Sequence, residues 1–347
     1  MTNIEVKIPE RQRPWINRGA SVRELVVPVA IAAVVAAAIN LLTGLAGALG
    51  FYFAFVLSYA VVAWFTGRRH DKVKGIDKLA TAFITLGFAT AFIPWASILF
   101  TVVRRGWPTI YGGYFTTDMR VTAADDDLAM GGLSHALVGT VLMLLVASVI
   151  SIPLGILTAA YITEIRGKLS GFIRIMVQSM SGVPSIVAGL FIYATVVSRF
   201  KFSGLAGALA LSILMLPTIA RTAEEVLKLV PEEIRSASYA LGASQMATTF
   251  RIILPAARSG LVTASMLGVA RVAGETAPLI LTSFYSAVFS LKMIGEPIGS
   301  LPMYTYQNFG VGTETALTRA WGGALVLMVL ILILFSTARL LSGRRQK

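Results

Sequence analysis

The chain of 347 residues contains no cysteine and only two histidines. Without cysteine there is no disulfide framework, no thiolate metal site and no thiol nucleophile. The sequence patterns of serine hydrolases (GxSxG), zinc proteases (HExxH) and phosphate-binding Walker loops are missing as well. We therefore expect a non-catalytic protein with no metal or cofactor of its own, so any energy source has to come from a partner or a gradient.

Charge is also scarce. Only 14% of the residues are charged, whereas about 25% is usual for soluble domains. Hydrophobic residues make up 56% of the chain, and the mean hydropathy is +0.76. Several apolar runs reach the ~20 residues that a helix needs to cross a ~30 Å hydrocarbon core. This composition predicts an all-α polytopic membrane protein.

The apolar runs predict about eight transmembrane helices. They are expected at approximately 25–42, 49–65, 79–103, 133–162, 173–197, 204–220, 259–283 and 320–340. Residues 1–24 are polar and lack the layout of a cleavable signal peptide. We expect them to form a cytoplasmic tail ahead of a first span that is retained.

The distribution of basic residues predicts the orientation. If the N-terminus is inside, 22 of the 30 Lys and Arg residues fall in inside segments and 7 in outside segments. This bias satisfies the positive-inside rule and predicts a multi-pass protein of the cytoplasmic membrane with both termini cytoplasmic. His70 and His135 then lie on opposite sides and cannot share a metal. Basic inside loops also explain the net charge of +13, so no nucleic-acid partner is needed.

Two charges interrupt the predicted seventh span. Arg271 and Glu275 lie four positions apart, a spacing that puts both on one helix face, with Arg271 roughly 16 Å into the span. A central Arg costs about +2.5 to +3.5 kcal/mol on insertion scales, so such charges are expected to face the bundle interior or an aqueous cavity. Two interpretations stay open: a structural ion pair, or a site whose guanidinium binds an oxyanion or a carboxylate.

A second feature is the stretch "SGVPSIVAGL" at 181–190. Gly182 and Pro184 interrupt an otherwise continuous apolar run, and Ser185 would begin its second half. A broken membrane helix exposes amide donors that can face an anion. A simple packing kink accounts for the same residues equally well.

The third feature is the inside segment 221–258. Pro231 is predicted to open a short helix with Glu232 and Glu233 in its first turn. A turn near Gly242 and a second short helix that ends at Pro255 are expected to follow. A loop with folded helices favours a docking surface, although an amphipathic surface helix would have the same pattern.

Within this segment, "SASYALGASQMATTFRIILP" resembles the EAA loop of ABC importer permeases. That pattern is Glu-Ala-Ala, three residues, Gly, nine residues and Ile-x-Leu-Pro. The sequence departs from it at 236–238, where Ser-Ala-Ser replaces Glu-Ala-Ala. In the family this loop forms the coupling helix that sits in a groove of the ATP-binding subunit. The resemblance implies that role for Ala237, Gly242, Ala243, Ile252, Leu254 and Pro255.

Two further stretches, "GVPSIVAGL" and "RVAGETAPLI", resemble the permeases of phosphate-specific Pst importers. "GETAPLI" and the outer-loop "SLPMYTYQNF" look more like PstA-type than PstC-type subunits. The resemblance implies a type I ABC importer permease core of six spans at 79–341, preceded by an extra transmembrane hairpin at 25–66. It also implies a phosphate pathway formed by Arg271, Glu275 and Thr276, with Gly182, Pro184 and Ser185 at the helix break.

The partners implied by the resemblance are a second, PstC-type permease, a PstB-type ATPase dimer that carries ATP and Mg, and an external PstS-type phosphate-binding protein. The remaining contacts would be with membrane lipid. Two alternatives stay open at this point. One is a gradient-driven secondary anion transporter, and the other is an ABC permease for another oxyanion such as sulfate or molybdate.

Overall fold

The computed structural model describes residues 22–43, 47–68, 72–123 and 125–343. Within those ranges the regular structure is helical and no strand occurs. Nearly all of the predicted tail at 1–24 lies outside the described residues, as do His70 and part of the predicted turn between the first two spans.

The helices of the described ranges follow one another with mostly short connections. In chain order they are α1 (Val22–Thr43), α2 (Ala48–Arg68), α3 (Lys72–Gly106), α4 (Ser134–Ala160), α5 (Ser170–Ser181), α6 (Ser185–Phe200), α7 (Gly204–Lys228), α8 (Glu232–Ala240), α9 (Gln245–Ala256), α10 (Arg258–Ala273), α11 (Ala277–Ile280), α12 (Leu301–Val311) and α13 (Glu314–Gly343). A π-helical turn, Tyr161–Ile165, extends the end of α4.

Among the described residues, six helices are long and apolar enough to cross a membrane. Two further helix pairs pass the same test together: α5 with α6, bent by 103°, and α9 with α10, bent by 74°. Counting each bent pair as one span gives eight, in agreement with the eight predicted spans. The bends show that two of these spans are not straight cylinders.

The chain divides into two compact units, with the boundary inside α3 between Ile98 and Leu99. In the first unit α1 and α2 pack against each other. Alanines on both helices are buried, namely Ala32, Ala36, Ala54, Ala60 and Ala63. Small side chains allow helices to approach closely in a membrane, where the hydrophobic effect does not drive helices together.

The second unit is built on α4 and α7, which pack along each other. Ser151 of α4 donates a hydrogen bond to the carbonyl oxygen of Ser212 in α7 (3.1 Å). A Cβ placed on Gly155 would lie only 2.7 Å from Cγ2 of Ile219, so glycine permits this approach. Parts of α10 and α11 complete the same core through Val269, Val272, Ala273 and Leu279.

The predicted seventh span at 259–283 is wrong in its second half. The helix α10 ends at Ala273, and Gly274 caps it. Glycine lowers helix propensity, and Pro278 four residues later cannot donate the backbone hydrogen bond that would continue the helix. The segment that follows therefore turns into the separate short helix α11.

The segment that connects α11 to α13 contains α12. Residues Leu301 to Tyr304 are buried, and the Leu301 amide donates to the hydroxyl of Thr140 in α4 (2.8 Å). Arg319 of α13 is also buried and donates to the carbonyl oxygens of Ala123, Asp126, Asp127 and Met130. These contacts fix the start of α12 against α4, and they fix the connection that precedes α4 against α13.

Candidate functional site

Arg271 lies in the last turn of α10, and its side chain is exposed. Its Nη1 donates to the hydroxyl of Thr218 in α7 at 3.0 Å. The other guanidinium donors have no partner in the described part of the chain. A cation is favourable at this end of a helix because the carbonyl end of the helix dipole is negative. The arrangement fixes the side chain at one point and leaves most of its donors available.

Glu275 does not lie on the helix face of Arg271. It follows the end of α10, is half-buried, and its amide donates to the carbonyl oxygen of Val272 (3.1 Å). No ion pair joins Glu275 to Arg271 in the described structure. The predicted i,i+4 arrangement is therefore wrong, because it assumed a helix that continues through Gly274.

The helix break predicted in "SGVPSIVAGL" is confirmed. α5 ends at Ser181, Gly182 caps it, and Pro184 with φ −58° and ψ 137° precedes α6, which begins at half-buried Ser185. The chain bends by 103° between the two halves. Pro184 favours this extended backbone because its ring fixes φ near −65°.

The structure brings this broken helix into contact with the "GETAPLI" segment. α6 packs against α11, and a Cβ added to Gly189 would lie 2.7 Å from Cα of Pro278. Glycine is thus required for the observed approach. Two motifs that lie about ninety positions apart in the sequence are neighbours.

Thr276, which directly precedes α11, is half-buried. Together with Gly274 it borders an open groove of about 580 Å³ whose remaining walls come from α12 and α13. The walls are largely apolar and include Pro302, Tyr306, Phe309, Leu327 and Ile331. Arg271 is not among the residues that line this groove.

The two short helices and the turn predicted within 221–258 are confirmed, whereas residues 221–228 belong to α7 and not to the loop. Pro231 precedes α8, whose first turn carries Glu232 and Glu233, and α9 follows after a turn. Gly242 has φ +79° in that turn, a conformation that costs roughly 1–2 kcal/mol for most other residues. A Cβ at this glycine would meet no atom within 4 Å, so backbone conformation rather than space favours glycine.

The six loop residues singled out from the sequence have different environments. Ala237, Ala243 and Ile252 line a shared open groove of about 470 Å³ between α8 and α9. Gly242 forms the turn, Leu254 packs against a buried cluster at the ends of α4 and α7, and Pro255 is exposed. Several exposed side chains near the groove are apolar: Leu241 (89% exposed), Met246, Phe250 and Ile252.

The family model for a binding-protein-dependent transport system inner membrane component matches residues 151–347, more than half of the chain. The chain belongs to this family of permeases. It is 38% identical over 259 residues to phosphate transport system permease protein PstA 1 of Mycobacterium tuberculosis (strain CDC 1551 / Oshkosh), covering 74% of this chain and 84% of that protein. It is 33% identical over 279 residues to the PstA permease of Pasteurella multocida (strain Pm70), covering 80% and 97%.

A solved structure of the inward-facing MetNI methionine ABC transporter has a TM-score of 0.50 with this permease at 21% identity. The match covers 61% of the present chain and 93% of that chain. At this identity the likeness concerns the fold alone. The permease therefore has the fold of type I ABC importer permeases, as expected from the sequence.

One further charged site in this permease was missed by sequence reasoning. Arg235 of α8 is 8% exposed and forms a two-pronged ion pair with Glu164 in the π-helical turn after α4, at 2.8 and 3.0 Å. These hydrogen bonds raise the pKa of the Arg235 guanidinium above its usual value. Glu164 and Arg235 lie 71 positions apart in the sequence. The sequence signal for this contact was the charge of Glu164 at the end of an apolar run.

Proposed function

We propose that this chain is a transmembrane subunit of an ATP-driven importer of inorganic phosphate. The observation that carries the proposal is the similarity of 33–38% identity, over more than 70% of the chain, to permeases named for phosphate transport. The permease fold supports import driven by an ATPase rather than by a gradient, since the coupling loop has no use in a secondary carrier.

In this proposal Arg271 contacts phosphate as it passes. A guanidinium is planar, always charged and rich in donors, which suits a tetrahedral oxyanion. Its side chain is exposed in the isolated chain and has one protein partner, the Thr218 hydroxyl. A charge in a transmembrane region is expected to face water or protein rather than lipid. The surface around Arg271 is therefore the wall of the path, and a second, PstC-type permease supplies the opposite wall.

Glu275 has two proposed roles, both compatible with its half-buried position and with the absence of an ion pair to Arg271 in the described structure. It neutralises the site between cycles, so that the anion is released. Alternatively, it accepts a hydrogen bond from a protonated phosphate oxygen and repels sulfate, which has no such proton. A site that requires a donor on its ligand rejects analogues lacking that donor far better than a size filter does.

The loop formed by α8 and α9 is proposed to dock on the ATPase dimer, which carries ATP and Mg. Its exposed apolar side chains and the groove between the two helices suit a protein contact. With the α8–α9 loop on the cytoplasmic side, both termini are cytoplasmic as well. An external PstS-type phosphate-binding protein then delivers phosphate to the opposite face. The positive-inside bias of the sequence supports the same orientation.

The first experiment tests the class of transporter. The permease is expressed with its second permease, ATPase and binding protein and reconstituted in proteoliposomes. Phosphate uptake is expected to require ATP and to persist when a protonophore removes the proton gradient. Uptake that occurs without ATP and is abolished by a protonophore would favour a secondary carrier. ATP-driven uptake of sulfate in place of phosphate would contradict the proposal that phosphate is the substrate.

The second experiment tests the site. Arg271→Gln is expected to reduce phosphate uptake about tenfold or more, because a hydrogen bond to a charged group is worth about 1.5–3 kcal/mol. Arg199→Gln, which changes another exposed arginine, is the matched control and should transport normally. Wild-type uptake by both Arg271→Gln and Glu275→Gln would rule out the site. Normal phosphate uptake and continued sulfate exclusion by Glu275→Gln would rule out the selector role alone.

A further inference from the structure

Arg235 uses all of its donors within the protein. Besides the two bonds to Glu164, its Nη1 donates to the Val230 carbonyl oxygen (2.6 Å) and to Glu232 (3.3 Å), and its Nη2 donates to the Leu227 carbonyl oxygen (2.9 Å). The side chain thus binds three elements at once: the end of α4, the end of α7 and the first turn of α8.

The other half of the loop binds the same place. Gln245, the first residue of α9, donates through Nε2 to the carbonyl oxygens of Glu164 (2.8 Å) and Ile165 (3.3 Å). Both helices of the loop therefore attach to the π-helical turn at the end of α4. Neither attachment depends on the exposed apolar face of the loop.

We propose that the Arg235–Glu164 pair is the joint through which movement of the α8–α9 loop is transmitted to α4 and α7. The proposal rests on the function proposed above, in which this loop docks on the ATPase. It assigns to Arg235 a positioning role, since the residue does not touch the substrate.

The path from the joint to the phosphate site is one continuous helix. Leu227, whose carbonyl oxygen binds Arg235, and Thr218, whose hydroxyl binds Arg271, both belong to α7. The two residues are nine positions apart, which is about 13.5 Å along the helix at 1.5 Å per residue. A shift of α7 at its Arg235 end is therefore carried to the partner of Arg271, because a helix is rigid along its axis.

The type of interaction supports a joint rather than a simple gain in stability. A buried ion pair often stabilises a fold no better than apolar packing would, because desolvation offsets the attraction. A two-pronged arginine–carboxylate pair does, however, fix both distance and orientation. Those are the properties needed to transmit a displacement in a defined direction.

The test uses the complete reconstituted complex and two readouts, ATP hydrolysis and phosphate transported per ATP. Arg235→Lys keeps the charge but loses the two-pronged geometry. We expect it to assemble, to hydrolyse ATP, and to transport about 2- to 30-fold less phosphate per ATP, the usual range for coupling changes. Arg174→Lys is the control, because Arg174 pairs with Glu224 while half-exposed.

A second variant covers the case in which changes at the buried pair prevent assembly. Gln245 is exposed, so Gln245→Ala should assemble, retain ATPase binding and lower the ratio in the same direction. If Arg235→Lys assembles, an unchanged amount of phosphate per ATP overturns the joint. If Arg235→Lys does not assemble, the same result in Gln245→Ala overturns it. A parallel loss of hydrolysis and transport also overturns it, since that indicates a structural role. Absence of ATP-driven phosphate uptake by the wild type would instead contradict the proposed function, and the joint with it.

Discussion

Arg271 and Arg235 are two arginines of one chain in opposite situations. Arg235 is buried, is held by two carboxylates and two carbonyl oxygens, and has no donor left. Arg271 is exposed and has a single hydroxyl partner. A guanidinium whose donors are all used holds parts of a protein together, whereas one with free donors can bind a passing anion. Burial and the number of partners thus separate an arginine that positions helices from a candidate substrate arginine.

The largest expected difference between the two is in stability. Arg235→Gln leaves Glu164 buried without its partner, which typically costs about 3–5 kcal/mol. Arg271→Gln alters an exposed side chain and should change the free energy of unfolding by less than about 0.5 kcal/mol. Apparent melting temperatures of the purified permease in detergent measure both. Equal losses of stability would show that the two arginines do not differ in the way described.

The next effect concerns the contact between α6 and α11. In Gly189→Ala the new methyl group would meet the backbone of Pro278 at 2.7 Å, and overpacking of this kind costs about 1–3 kcal/mol. We expect phosphate uptake to fall as α6 and α11 move apart.

Gly171→Ala is the matched control, because a Cβ at Gly171 meets no atom within 4 Å. Similar uptake by the two alanine variants would mean that the approach of α6 to α11 does not matter for transport.

A smaller effect is expected at the turn between α8 and α9, which positions the Arg235 half of the loop against its Gln245 half. Gly242→Ala should cost about 1 kcal/mol because φ is +79° there, and Gly242→Asn should cost less because Asn tolerates this conformation. ATPase activity of the assembled complex and phosphate transported per ATP are the measurements. A greater loss with Asn than with Ala would contradict a backbone cause and would indicate a steric conflict with the ATPase.

The smallest effect is expected at the partner of Arg271. Thr218→Val removes an exposed hydrogen bond, worth about 0.5 kcal/mol at the low end of measured values, and should raise the KM for phosphate roughly twofold. Thr222→Val, one turn further along α7 and half-buried like Thr218, should leave KM unchanged. A KM shift in Thr222→Val as large as that in Thr218→Val would show that the hydroxyl of Thr218 has no special role.

Patterns within single segments predicted much of the fold. The number of spans, the break at Gly182 and Pro184, and the two-helix loop with its turn at Gly242 depend on apolar length, proline and glycine. The same reasoning failed at Glu275, where an apolar run was extended through Gly274 although α10 stops at Ala273. A run of apolar residues shows that a segment is buried or in lipid, but not that it is one straight helix.

The candidate site was predictable only in part. Arg271 stands out in the sequence because a charge in an apolar segment is costly, and this holds whatever surrounds it. The roles of Arg271, Glu275 and Thr276 in phosphate passage stay predictions for the uptake experiments. The sequence did not show that Thr276 lines a groove to which Arg271 does not contribute.

By itself, then, the sequence determined the membrane class, the order of helices and the positions at which they break, because these follow from the chemistry of neighbouring residues. Only the tertiary structure decided that Thr218 holds Arg271, that Gly189 touches Pro278 and that Arg235 binds Glu164. Each of these contacts joins residues at least fifty positions apart, and helix packing alone determines which of them meet.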